Sequence, residues 1–269
     1  MTEPEVASSD ATNIATRIEL DEISDELVVT SRKWWSSGAM APECKVSIVI
    51  GLSVPQGARH HRHLMVAVPL DTPGVHVERS THVLGFADAL YGGHAEILYD
   101  AVRVPRENLL GEWNGGFAIG QARLGPGRIH HRMRAIGMAE RAYDLLCAGS
   151  GARRVRQAPG RAGGRVADSR IRIEQARLLV LNAAWLMDTV GNRHARIEIS
   201  AIKVAAPNAA LKVLDRAIQV HGGGGVSDDF GLAYAYAHLR TLRLADGPDE
   251  VHKLSIARRE LARYVPRET

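Results

Sequence analysis

Two periodicities divide the chain. Over residues 13–20 apolar and polar positions alternate, residues 21–25 form a polar turn, and residues 26–30 alternate again. Neighbouring side chains of a strand face opposite sides of a sheet, so this pattern predicts a hairpin. Residues 46–51, 63–68, 76–79 and 95–102 are short apolar or β-branched runs, with Asp71-Thr72-Pro73-Gly74 as a turn among them. Helical spacing is absent here. A small antiparallel β-domain is expected over residues 1–113.

The second half switches period. Residues 116–148 carry apolar side chains at helical spacing, among them Ile119, Ile136, Ala139, Tyr143 and Leu146. Residues 168–190 repeat this through Ile173, Ala176, Val180, Ala183, Met187 and Val190, and Gly191 is placed to end the helix. A further long helix is expected over residues 195–220, bent at Pro207. Shorter helical segments follow at 234–242 and 251–264. The expected fold class is α+β: an antiparallel β-domain, then a helical bundle over residues 114–269.

Composition adds bounds. A chain of 269 residues, 45% hydrophobic and 24% charged, can bury a sizeable core. No apolar run reaches membrane-span length and no signal-peptide pattern opens the chain. Cys44 and Cys147 make neither a disulfide framework nor a metal-ligand spacing, which fits a reducing compartment and a cytoplasmic location. The net charge of +4 is mildly basic, with arginines clustered over residues 153–161. Such a cluster can meet phosphate or an acidic surface, but without interleaved aromatics it argues against single-strand stacking.

Candidate chemistry concentrates near the carboxyl end. Arg243-Leu244-Ala245-Asp246-Gly247-Pro248-Asp249-Glu250-Val251-His252 joins two helical segments through a tight turn. Asp246 could project from rigid scaffold into a cleft; alternatively Asp246, Asp249 and Glu250 cap the last helix. Upstream, Gln219-Val220-His221-Gly222-Gly223-Gly224-Gly225 permits close backbone approach to another chain or a phosphate-bearing ligand.

Six signatures in order carry a resemblance: Thr2-Glu3-Pro4 through Asp10; Arg32-Lys33-Trp34-Trp35-Ser36-Ser37-Gly38; Val102 through Gly111; Gly127-Arg128-Ile129-His130-His131; Gln219 through Gly223; and the Asp246 turn. Together the chain resembles an acyl-CoA dehydrogenase, in the branch of family members ten and eleven, from the middle β-domain through the carboxyl-terminal helical domain. The resemblance implies non-covalent FAD, with Thr2, Trp35, Ser37, Gln219, Gly222, Gly223 and Glu250 on the cofactor. It places Ser8, Arg128 and Gly247 on the substrate, Arg128 towards the CoA moiety. Asp246 takes the position of the catalytic base, which removes the α-proton while flavin N5 accepts hydride from the β-carbon. The implied reaction converts an acyl-CoA thioester to the trans-2-enoyl-CoA, with an electron-transfer flavoprotein as acceptor and a homo-oligomer, dimer or tetramer, as the working form.

Departures from the family pattern matter too. Met1 falls where a residue before Thr-Glu-Pro normally stands, so the family's amino-terminal helical domain is expected to be missing. The usual Arg-x-x-Phe-Gly segment is replaced by Arg154-Val155-Arg156-Gln157-Ala158-Pro159-Gly160-Arg161, without the phenylalanine. Alternatives are therefore a truncated or degenerate inactive copy, a nitroalkane-oxidase-like flavoenzyme, and a DNA-associated family member.

Overall fold

A computed structural model describes residues 1–54, 56–152 and 159–264. The chain forms two compact units, Met1–Arg123 and Leu124–Thr269. The first holds a six-stranded sheet of β1 (Arg17–Asp21), β2 (Glu26–Ser37), β3 (Val46–Leu52), β4 (His63–Pro69), β5 (Val75–Thr81) and β6 (His94–Pro105). Strand order is β4-β3-β1-β2-β6-β5. The expected hairpin is β1 and β2, paired from Arg17↔Thr30 to Asp21↔Glu26.

Four of the five strand pairings are antiparallel, as expected, and one makes the sheet mixed: β1 and β3 run parallel, meeting at Arg17↔Leu52. A parallel neighbour needs a crossover rather than a hairpin, and the whole of β2 with the loop after it provides one. Alternation within one strand carries no information about its neighbour's direction. β2 is also longer than its alternating pattern, because Ser31–Ser37 continues to pair with β6. Ile18, Leu27, Val29, Leu64, Val66, Val68, Ile97, Tyr99, Val102 and Val104 form the buried face.

The second unit is helical: α1 (Gly116–Ala152, its first turns lying in the sheet unit), α2 (Pro159–Val190), α3 (Arg196–His221), α4 (Leu232–Thr241) and α5 (Asp249–Leu261). Alanine at Ala135, Ala139, Ala142, Ala176, Ala183, Ala206, Ala210 and Ala217 lines the buried seam, letting helices approach closely around Ile136, Leu146, Val180, Ile202 and Leu214. Gly191 stops α2 as expected, at φ 81° with its N–H on the Met187 carbonyl. Pro207 sits buried inside α3, whose helical assignment continues through it.

Candidate active site

In the sheet unit, β2 alternates buried positions at Leu27, Val29, Ser31 and Lys33. A lysine in that inward register must find a partner. Lys33 Nζ donates to Glu3 Oε1 at 2.6 Å and to the Ile50 carbonyl at 2.9 Å. Glu3 also accepts from the Ala15 and Thr16 amides at 2.7 and 3.2 Å and from the Thr16 hydroxyl. Burial pushes the Glu3 carboxyl up, but the Lys33 ammonium and these hydrogen bonds outweigh it and hold the group below the usual carboxylate range. The pair pins the amino-terminal loop. Ser8 Oγ accepts the Glu3 N–H at 3.0 Å, and the Thr2 carbonyl accepts the Trp34 N–H at 3.1 Å. Neither Glu3 nor Lys33 was singled out from the sequence, although the inward register of Lys33 was a usable signal.

Beyond Lys33 the pairing of β2 with β6 slips between Lys33 and Ser36. Trp35 occupies this bulge at φ 54°, where a bulky side chain costs on the order of 1–3 kcal/mol. The residue is 38% exposed rather than buried. Ser37 lies opposite His94, its Oγ 2.8 Å from Nδ1, and His94 Nε2 lies 3.0 Å from Asp88 Oδ2. The Trp35 and His94 rings are 5.3 Å apart. Gly92, at φ 73°, keeps this corner tight, because a Cβ there would come within 2.9 Å of the Gly38 Cα. The buried Trp34 Nε1 has no partner among the described atoms. An exposed aromatic face beside an oriented hydroxyl suits a planar ring with polar edges, so the residues fit a flavin. On the same unit, Asp10, Thr12, Asn13, Gly57, Arg59 and Arg62 line an open groove.

In the helical unit, Asp246 and Gly247 both take positive φ, 59° and 95°, in the turn between α4 and α5. The Asp246 carbonyl accepts three donors: Arg128 Nε at 3.2 Å, Arg128 Nη2 at 2.9 Å and His252 Nε2 at 3.1 Å. Gly247 suits the turn because an L side chain is strained at this φ, and a Cβ would also crowd His252 Nε2 at 3.0 Å. The Asp246 carboxylate is left 18% exposed, 3.9 Å from Arg132 Nη1. Arg132 is fully buried, and its Nε and Nη1 lack hydrogen-bond partners among the described atoms. Burial pushes its guanidinium down to about 10, against the pull of Asp246. Burial likewise pushes His252 down to about 4, so its ring is neutral and Nε2 carries the proton it donates.

Asp249 does not cap α5, contrary to expectation: Pro248 takes the cap position without a side-chain bond. The Asp249 carboxylate is buried instead, accepting from Arg243 Nε at 2.7 Å and Asn208 Nδ2 at 3.1 Å, with Lys203 Nζ at 3.7 Å. Burial pushes the Lys203 amine down to about 8. Glu250 is exposed in the first turn of α5, likewise without a capping bond. Thus Arg128, Asp246 and Gly247 come together with His252 and Arg132, two residues given no role from the sequence. A helix register placing both on the inward side was their only signal.

Gln219, Gly222 and Gly223 are exposed where α3 ends in a short 3-10 turn. A Cβ on Gly225 would strike the Ile218 backbone, so glycine is obligatory at that position. Of the basic stretch, residues 153–158 lie outside the described residues. Among the described residues no cluster suits a metal ion and no helix is long and apolar enough to cross a membrane.

Residues 1–101 match the acyl-CoA dehydrogenase middle domain, and residues 114–261 match the acyl-CoA dehydrogenase C-terminal domain. The chain is 54% identical to a probable acyl-CoA dehydrogenase, FadE2, of Mycobacterium tuberculosis, over 98% of this chain and 65% of that protein. It is 52% identical to human acyl-CoA dehydrogenase family member 11, over 97% of this chain and 34% of that protein. A solved structure of a putative acyl-CoA dehydrogenase from Mycobacterium abscessus superposes with a TM-score of 0.94 at 52% identity, covering 98% of this chain and 65% of that one. The chain therefore spans just under two thirds of the first relative and about a third of the second. It belongs to the acyl-CoA dehydrogenase family, and FAD is the cofactor that this membership implies.

Proposed function

We propose that the chain carries the FAD and thioester side of an acyl-CoA dehydrogenase and converts acyl-CoA to trans-2-enoyl-CoA. The observation that carries this reading is the Asp246 turn: three hydrogen bonds fix its carbonyl while its carboxylate stays accessible. A base must be held in geometry before it is useful, and about 1 Å of misplacement can cost about a hundredfold in rate. FAD, when bound, supplies the hydride-accepting ring.

Asp246 Oδ takes the α-proton of the thioester. The Asp246 backbone N–H is offered to the thioester carbonyl oxygen, where negative charge develops. Arg128 acts by bracing that backbone, with its remaining N–H groups available to the CoA side; Gly247 keeps the approach open. In the sheet unit, Trp35 offers its ring and Ser37 its hydroxyl to the flavin, with Thr2 on the adjoining loop. Ser8 borders the substrate, and the nearby Arg59 and Arg62 provide cations for phosphate. Gln219, Gly222, Gly223 and Glu250 make the remaining cofactor contacts. Residues 1–113 and 114–269 are the corresponding domains. An electron-transfer flavoprotein accepts the electrons, and the working form is a homo-oligomer.

Asp246→Asn tests the reading. The amide keeps the shape and the backbone N–H but cannot take a proton. Bleaching of the flavin by acyl-CoA should fall by about a thousandfold or more, while FAD and acyl-CoA still bind. Bleaching at the unmodified rate would remove Asp246 as the base.

A further inference from the structure

We infer that Asp88, acting through His94, sets the hydrogen-bond polarity of Ser37. The inference rests on the reading that Ser37 faces the flavin edge, but its first test does not. The three side chains form a line: Asp88 Oδ2 to His94 Nε2 at 3.0 Å, and His94 Nδ1 to Ser37 Oγ at 2.8 Å. Asp88 and His94 have side chains only 4% and 12% exposed. Their arrangement follows from proton counting. An ionised carboxylate can only accept, so Nε2 carries the ring proton and Nδ1 of a neutral imidazole is a lone pair. That lone pair takes the Ser37 hydroxyl hydrogen. Ser37 then presents only oxygen lone pairs outward, and its free side is an acceptor.

A ligand edge presenting N–H matches an outward acceptor, and an edge presenting a lone pair does not. An oxidised flavin presents lone pairs at N5 and O4, whereas a reduced one presents N–H at N5. The line from Asp88 to Ser37 thereby favours the reduced form of the ring.

The groups around the imidazole favour this role. Asp88 is the charged side chain against it, from the segment before β6. Trp35 covers one side, and Thr81 Oγ1 of β5 donates to the His94 backbone carbonyl at 3.1 Å. Glu96, two residues further along β6, is paired with Arg32 and Arg79 of the flanking strands. A hydrolytic triad is disfavoured by the ring nitrogens, since the serine lies on Nδ1 and the carboxylate on Nε2, the reverse of that arrangement.

The first test uses flavin-free full chain. Long-range proton–nitrogen spectra of nitrogen-15 histidine, with His94 identified through His94→Gln, should show the neutral Nε2–H tautomer. Asp88→Leu, which removes the acceptor, should abolish this preference and leave Nδ1–H populated. A neutral Nδ1–H tautomer in the unmodified protein, or an unchanged tautomer in Asp88→Leu, would overturn the inference. The second test measures affinity for oxidised and reduced FAD at one pH. The preference for the reduced form should fall by about fivefold or more in Asp88→Leu. An unchanged ratio in that variant would overturn the inference. Complete failure to bind FAD would refute the proposed function while leaving the tautomer result to decide this one. Covalent labelling of Ser37 by a fluorophosphonate would mark a nucleophile and overturn a purely orienting role.

Discussion

The two units bury charge in opposite ways. In the sheet unit, the Glu3 carboxylate and Lys33 ammonium lie 2.6 Å apart, and backbone and hydroxyl groups complete both shells. In the helical unit, Arg132 and Lys203 are equally buried, yet Arg132 Nε and Nη1 and Lys203 Nζ have no hydrogen-bond partner among the described atoms. A closed network is rigid scaffold. An open one leaves buried charge whose cost is offset mainly by Coulomb attraction to Asp246 and Asp249. The difference fits the work proposed for each. The sheet unit must hold a loop and an aromatic platform still, while the helical unit must keep a carboxylate accessible beside cations.

The largest effects should come from removing one partner in either network. Glu3→Ala strands the buried Lys33, and Asp249→Ala strands the buried Lys203 while also unpairing the partly exposed Arg243. Each should cost about 3–5 kcal/mol in guanidinium unfolding. A loss below about 1 kcal/mol at Asp249 would mean that its ion pairs contribute little and that the contrast is one of geometry alone.

An intermediate effect is expected from pH. His252 has its folded value pushed down to about 4 from an ordinary 6.5. Between those values the unfolded chain binds the extra proton and the folded one does not. Its contribution is therefore complete above pH 6.5 and is lost as pH falls towards 4, on the order of 3 kcal/mol in all. Urea midpoints across that range should show the slope, and His252→Gln should flatten it. The Glu3 carboxyl is also depressed, so its stabilisation is present above about pH 4.5 and is lost only as pH falls further. A slope confined to that lower window would assign the acid sensitivity to the sheet unit instead.

The smallest effect should be at Arg132. Arg132→Met removes a guanidinium whose one hydrogen bond among the described residues is to the Leu242 carbonyl. Replacing an incompletely paired buried charge with an apolar chain of similar volume should shift stability by about 1 kcal/mol or less, in either direction. The informative contrast is with Lys33→Met, which leaves Glu3 buried without its cation and should be clearly worse. Equal losses at the two positions would erase the distinction between closed and open networks.

Much of the frame was legible in advance. Alternation located the first two strands and short apolar or β-branched runs the other four, the 3.6-residue period located the long helices, and the order of short signatures placed Arg128 and Asp246 within one family pattern. Their direct contact, Arg128 on the Asp246 carbonyl, was not anticipated. Nor was the burial of Asp249, because a carboxylate after Gly-Pro looks the same whether it caps a helix or pairs with a distant lysine.

By itself the sequence determined which segments are strands and helices, which faces are apolar and where the chain must turn. These are local properties, set by side-chain period and backbone preference. Tertiary structure alone decided the parallel pairing of β1 with β3, the bulge that exposes Trp35, and the line from Asp88 through His94 to Ser37. It also decided which buried cations find partners. Those outcomes depend on groups far apart in the chain meeting at hydrogen-bond distance, as Lys33 meets Glu3 across 30 residues and Asp249 meets Lys203. A periodic pattern states that a residue faces inward; only the packed neighbours determine what it meets there.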